Sequence, residues 1–428
     1  MEVCMAYQEV TETSWFSRLG SSFSGMGLGL ALLVGGTILL WWNEGDFVAT
    51  RDALNETQAI TEELGDVNAV NNALNGKVVH ASGYADTSDI LTDSFFGVSE
   101  KAISLQRSVE YFQWVEHKKT EKRKKLGGGE ETVTTYTYSQ EWTARPVSSA
   151  NFHDPSARLN NVNRQLVNVE NERLYATNVR LGAYRLPDFF IRSISGSAPM
   201  TEAKVSAEAR ARIQSAVEAV KNPLSTGNAP LTQGTMTSMI SSQMMNALGA
   251  GDYVHEQGDT IYVGRSPAGP ENGDVRVKFT HVLPADVSII ARLKGDTFEK
   301  YVASNGKSVD KLAMGNVNME TMYGTAHSGN STMTWLLRGL GIILVIAGFK
   351  CILAPLAVIA SVIPLLGDIV GAGTGLVSTL LGCAWSLVII SIAWLRFRPV
   401  IGFAMIGTAV VLLLLLLIKG RKNKAQAA

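Results

Sequence analysis

Chemically capable side chains are plentiful in this chain, but they form no pattern that performs a reaction. The six histidines, His80, His117, His153, His255, His281 and His327, are scattered, with no His-x-x-x-His and no Cys/His metal spacing. The three cysteines, Cys4, Cys351 and Cys383, supply neither a disulfide framework nor a thiolate cluster. Cys4 also lacks the small and apolar residues that precede a lipidated cysteine. There is no Gly-x-Ser-x-Gly elbow, no Walker loop, and no kinase or zincin pattern. Gly371, Gly373 and Gly375 spell G-A-G-T-G between apolar stretches, where close packing or a hinge explains them. Nothing in the spacing of the acids singles out a general acid–base pair. The sequence therefore names no catalytic, cofactor-binding or metal-binding residue, and its expectation is a protein that is not an enzyme.

Two groups of charges remain. Asp368 and Lys350 lie within or beside apolar stretches, and Pro364 interrupts the same region. Intramembrane charges often mark an ion path, and their plainer reading is placement at the interface. Lys122, Arg123, Lys124 and Lys125 close the run KKTEKRKK. A basic loop there would contact anionic headgroups at about 1 kcal/mol per residue, and a solvated loop is the plainer reading.

These groups are positioned by membrane segments. The chain has 428 residues with 38 basic and 38 acidic, so charge gives no sign of a nucleic-acid partner. Its apolar residues gather at the two ends. Met26–Trp42 is flanked by Trp15 and Phe16 and ends in Trp41 and Trp42, the aromatic belts of a spanning helix. No small-x-small cleavage site follows, so it reads as an uncleaved anchor. Its glycines, Gly25, Gly27, Gly29, Gly35 and Gly36, suit helix packing rather than a phosphate loop. Met333–Leu353, Thr374–Leu395 and Ile401–Ile418 are further candidate spans, and Pro355–Gly373 reads as re-entrant or interfacial. The tail Lys419, Arg421, Lys422 and Lys424 places the C-terminus in the cytoplasm. Four spans then put residues 43–332 outside it, against which stand Arg396 and Arg398 in a short non-cytoplasmic loop.

The expected fold class is an α+β multi-pass membrane protein. Four transmembrane helices, one N-terminal and three C-terminal, flank a large mixed β-rich and helical domain. In order these are a cytoplasmic tail 1–22, helix 23–42, domain 43–332, helix 333–354, interruption 355–373, helix 374–395, helix 400–418 and basic tail 419–428. Within the domain, Val48–Leu74, Arg158–Val179 and Thr201–Val220 read as helical. Strands are expected at Lys77–Tyr84, Ala102–His117, Glu131–Ala144, Thr260–Val263, Asp274–Val282, Val287–Leu293 and Thr297–Val302. The second and third form a hairpin whose basic tip is Lys118–Glu130.

The ordered motifs resemble the transmembrane protein 43 family, also called LUMA. They are Asn43-Glu44-Gly45 after the first span, Tyr111–Glu116 with Gln113 and Trp114, and Tyr136-Thr137-Tyr138 followed by Glu141-Trp142. Gly273-Asp274-Val275-Arg276, Ala291-Arg292 with Gly295-Asp296, Thr334–Arg338, and Trp394 with Arg398-Pro399 continue in family order. Departures are local: Asp46-Phe47 after Asn-Glu-Gly, and Phe397 before Arg-Pro.

The resemblance implies topology, self-association and a membrane-organising role. In animals it implies the endoplasmic reticulum and inner nuclear membrane, with lamin- and emerin-type partners. Short tails and Gly- and Ala-rich helices look more like a bacterial member, in the inner membrane with a periplasmic domain. The expected function is an oligomeric, non-enzymatic scaffold whose partners are the lipid bilayer, its own copies and other membrane proteins, without a cofactor. The alternative is a channel or transporter component using charges of the C-terminal membrane block.

Overall fold

A computed structural model describes residues 6–221 and 252–400. Helix α1 (Trp15–Ile60) begins where the Ser14 side chain accepts the Ser17 N–H at 3.2 Å, and its 46 residues run without a break. The helical rhythm expected over Val48–Leu74 thus continues the first span rather than starting a new element, and it ends at Ile60. Helix α2 (Met319–Ala360) is capped by Asn318, which accepts the Thr321 N–H at 2.8 Å, and helix α3 (Pro364–Phe397) returns beside it. Each of these helices contains a stretch long and apolar enough to cross a membrane. They carry the first three expected spans. Ile401–Ile418 and the basic tail lie outside the described residues.

The expected re-entrant segment 355–373 is divided between two helices. Pro355 is accommodated inside α2, and the break falls at Ser361–Ile363. A residue before proline is pushed out of the helical region, and Ile363 is extended at φ −107°, ψ 113°. Pro364 then occupies the first turn of α3, where its missing N–H costs nothing.

Of the glycines expected to pack helices, Gly29 and Gly36 do so. A Cβ on Gly29 would meet the Gly348 carbonyl at 2.9 Å, and one on Gly36 the Gly341 carbonyl at 3.0 Å. Gly25, Gly27 and Gly35 face open space among the described residues.

Among the described residues, the polar domain and the N-terminal tail build two large sheets, beside two of two strands each. The first contains β1 (Tyr7–Thr13), β3 (Ser104–Lys124), β4 (Glu130–Thr143) and β5 (Val275–Val282), in the order β1-β4-β3-β5, and continues to Thr260–Val263 and Val254–Gln257. The second is centred on β2 (Val78–Thr87) and β6 (Ala285–Lys294), antiparallel from Ala285 opposite Ala85 to Arg292 opposite Val78. One core joins them, with Phe96, Ile103, Tyr184, Phe279, Ile289 and Leu293 fully enclosed. Tyr7–Thr13, within the expected tail 1–22 for which the sequence names no element, is a strand paired with Tyr136–Glu130.

The expected loop Lys118–Glu130 shrinks to the turn after Lys124. Cross-strand pairs such as Lys122 Nζ to Glu130 Oε1 at 3.0 Å keep the basic run extended. Arg158–Val179 is not one helix but a short helix, Pro155–Asn160, followed by extended chain. Its asparagines bond strand backbone instead: Asn163 takes the Trp114 N–H at 2.8 Å and donates to the Trp114 carbonyl at 2.9 Å. The helix expected from Thr201 starts at Ala207.

Candidate functional site

The apolar run of α1 ends at Trp42, and the next three residues form a joint with the other helices. Glu44 is fully buried and accepts from Arg338 Nε at 2.5 Å and Nη2 at 2.8 Å, a bidentate pair. Trp394 Nε1 donates to its second oxygen at 2.8 Å, and Arg398 Nη2 lies 3.5 Å from that oxygen. Arg338 sits over the Trp335 ring at 4.6 Å, and Arg398 over Phe47 at 4.3 Å. Asn43 donates to the Thr334 carbonyl at 3.2 Å. A Cβ on Gly45 would come within 2.8 Å of Phe397 Cζ, so glycine here lets that ring close the joint. Asn43-Glu44-Gly45 is thus a clamp on α2 and α3. A carboxylate held between two guanidinium groups fastens the three helices to one another.

A cavity of about 660 Å³ adjoins this clamp, lined by Thr37, Ile38, Trp41, Trp42, Asp46 and Phe397 among others. It is mostly apolar in lining and lies between α1 and the end of α3.

A second joint lies at the other end of the bundle. Strands β1, β4 and β3 leave the domain as a ribbon whose turn meets the start of α1 and the α2–α3 connection. Lys124 pairs with Asp368, and the Gly127 N–H donates to the Val362 carbonyl at 3.1 Å. Arg18 Nη1 donates to the Gly128 carbonyl at 2.5 Å, while Trp15 Nε1 donates to Val358 O at 2.9 Å. Gly128, at φ +80°, sits so close to Trp15 that a Cβ would fall 2.2 Å from its ring. Lys125 reaches Glu12 at 2.5 Å and Glu131 at 2.8 Å. Two of the expected site groups, the basic run and Asp368, are therefore brought together. Lys350 stands exposed on α2, and Pro364 serves as the start of α3.

The two legs have matching lengths. From Leu54, which packs on Val78 and Ile290 of the domain, to Trp15, α1 covers about 58 Å. From Tyr111, paired with Val275, to Gly127, the ribbon covers about 53 Å. The ribbon accordingly runs beside the bundle past the whole of Met26–Trp42.

The remaining motif positions fasten the ribbon's root. Gln113 is fully buried, donates to the Thr143 hydroxyl and to Arg145 O at 2.7 Å, and accepts the Val147 N–H at 3.0 Å. Trp114 packs against the cluster of Tyr136, Tyr138 and Phe152. Glu116 accepts the Tyr138 hydroxyl at 2.7 Å and the His153 N–H at 2.6 Å, and His153 stacks on Tyr136 at 4.2 Å. Burial pushes the Glu116 carboxyl up, but its bonds from His153 and Tyr138 outweigh this and hold it below its usual range. Burial and the bond to Glu116 push the Tyr138 phenol well above its own. Glu141 pairs with His117 at 2.7 Å. Arg276 bridges Glu110 at 2.7 Å and lies 4.4 Å over Trp142. Asp274 accepts from Tyr262 and from the Glu271 N–H at 2.8 Å, after the turn at Gly273, φ +104°. Pro399 is exposed just after Arg398. Among the described residues no group of His, Cys, Asp or Glu is arranged to hold a metal.

The family model described as Transmembrane protein 43 matches residues 111–399, from the ribbon's root to the Arg398 clamp. The chain belongs to the transmembrane protein 43 family. It is a multi-pass integral membrane protein. Transmembrane protein 43 of Rattus norvegicus is 25% identical over 398 residues, covering 91% of this chain and 88% of the rat protein. The Homo sapiens protein is 24% identical over 412 residues, covering 94% and 91% respectively. The Drosophila melanogaster homolog is 26% identical over 387 residues, covering 87% and 89%. No solved structure matches the chain.

Sequence reasoning missed Glu44 as the partner of both arginines. Arg398, a loop charge by sequence, lies 3.5 Å from the Glu44 carboxylate at the end of the first apolar run. It also missed β1, although the alternation in Tyr7–Thr13, with Val10, Thr11 and Thr13, is a strand signal.

Proposed function

We propose that this transmembrane protein 43 family member is a non-enzymatic, oligomeric membrane-organising scaffold whose extracytoplasmic domain is the assembly and partner surface. The observation that supports it best is the double attachment of that domain to the bundle, at Glu44–Arg338 and at the ribbon turn. A domain held at both ends moves with its membrane helices as one body, which suits presenting a fixed surface to neighbours. The partners are the bilayer, further copies of this chain and other membrane proteins. In a bacterium the domain faces the periplasm from the inner membrane; in a eukaryote it faces the lumen of the endoplasmic reticulum or inner nuclear envelope.

Native mass measurement in mild detergent tests the assembly, and monomer across all concentrations would sink it. Sidedness is read by labelling Lys204→Cys, exposed on the domain. Labelling of that site by an impermeant reagent from the cytoplasmic side reverses the orientation. A thiol at Gly128 does not report the domain, because the ribbon turn meets the opposite end of α1. The channel alternative rests on Asp368 and Lys350; the Asp368 carboxylate is engaged by Lys124, and Lys350 stands exposed on α2.

A further inference from the structure

The ribbon has two open edges among the described residues. Strand β1 pairs only with β4. Strand β3 is covered by β5 as far as Tyr111, and the Asn163 side chain caps Trp114. The Phe112 and Trp114 N–H groups point away from β4, so alternation along the strand aims those of Lys118, Thr120 and Lys122 the same way. Register sets both edges at one height. Tyr7–Thr13 lies opposite Tyr136–Glu130, which lies opposite Lys118–Lys124.

That height falls beside the bundle, where lipid is no possible neighbour. Open strand edges do not occur in hydrocarbon, and irregular or charged backbone at membrane depth survives only in protein or against water. The signs of the edges differ. Tyr7–Thr13 carries Glu9 and Glu12 and no base, whereas Lys118–Lys124 carries five bases and one acid. Several of these charges also pair within the chain, Glu12 with Lys125 and Lys122 with Glu130 among them, so the net sign of each edge governs its choice of partner. Joining two β1 edges or two β3 edges sets like charges side by side, and only a head-to-tail joint sets opposite ones.

Building on the oligomeric reading above, we propose that copies of this chain join through the ribbon. The β1 edge of one copy pairs with the Lys118–Lys124 edge of the next. Both strands run toward the turn, so the joint is parallel. A heterologous joint of this kind closes into a ring and leaves no edge exposed. The ribbons face a shared aqueous interior, and α1, α2 and α3 face lipid.

The test is disulfide trapping in native membranes, in full-length chain with Cys4, Cys351 and Cys383 replaced by Ala. Val10→Cys is combined in turn with Lys119→Cys, Glu121→Cys or Arg123→Cys, the positions on the same face of the sheet as Val10. Within one chain these positions are two strand spacings apart, about 9.6 Å, beyond the roughly 7 Å reach of a disulfide. The expected result is a ladder at multiples of the 46.1 kDa chain mass in at least one register, and none from any single variant. Thr11→Cys with Thr132→Cys, direct cross-strand partners, is the control that closes within the chain if the ribbon forms. Oligomer by native mass with a closed control and no ladder overturns the joint while sparing the oligomer. Dimers from Val10→Cys alone overturn the head-to-tail sense, and an open control overturns the ribbon. Monomer alone overturns both this proposal and the reading beneath it.

Discussion

Lys124 and Asp368, separated by 244 residues in sequence, form an ion pair where the ribbon turn meets the first turns of α3. The Asp368 side chain remains 64% exposed and that of Lys124 37%. An exposed pair of this kind contributes about 0–1 kcal/mol. Asp368→Asn is therefore expected to shift thermal unfolding in detergent by no more than that. A loss comparable to deletion of a buried charge would show that the joint is closed to solvent.

Glu44 is the opposite case. Removing the carboxylate leaves Arg338, 7% exposed, and Arg398 with an uncompensated buried charge. Glu44→Ala is expected to cost about 3–5 kcal/mol. Adding Arg338→Met to that variant should recover part of the loss. Thermal melts followed by tryptophan fluorescence suit this comparison, since Trp335 and Trp394 flank the pair.

Glycines along α1 give a paired prediction. Gly29→Val drives new atoms toward Cys351 Cβ, already 2.8 Å from an ideal Cβ, and should destabilise by about 1–3 kcal/mol. Gly35 has open space, so Gly35→Ala should leave stability unchanged or raise it by up to about 1 kcal/mol through helix propensity. Equal responses at the two positions would contradict the packing of α1 on α2.

Asp89 gives the domain a defined acid sensitivity. Bonds from Asn178 and Thr177 lower its carboxyl to about 2. A carboxyl held below its unfolded value, about 3.9, stabilises fully above that value and loses the contribution as pH falls toward 2. Denaturant titrations between pH 5 and pH 2 should show a shallower loss in Asp89→Asn than in the unaltered chain. Parallel slopes would remove Asp89 as a source of that sensitivity.

Much of the architecture follows from local pattern. Long apolar runs at the chain ends determine the spans at Met26–Trp42 and Met333–Leu353, because hydrocarbon accepts nothing else over that length. Alternating Thr and Tyr residues determine β4, and Gly127-Gly128 its turn. The helix expected over Arg158–Val179 gives way to extended chain, where Asn163 and Asn171 bond strand backbone instead.

Partner choice was settled by tertiary packing alone. Glu44 lies 294 residues from Arg338, and nothing near either one in sequence says that they meet. The same holds for Tyr7–Thr13 on Glu130–Tyr136 and for the basic run on the end of α3. Hydropathy and periodicity are properties of neighbouring residues, so the chain by itself determined the three described spans and the longer strands, but not the extended chain within Arg158–Val179 or the strand at Tyr7–Thr13. A buried charge or an open strand edge is satisfied only by what the folded chain brings beside it, and that is why the Glu44 clamp and the ribbon's second attachment became visible only in three dimensions.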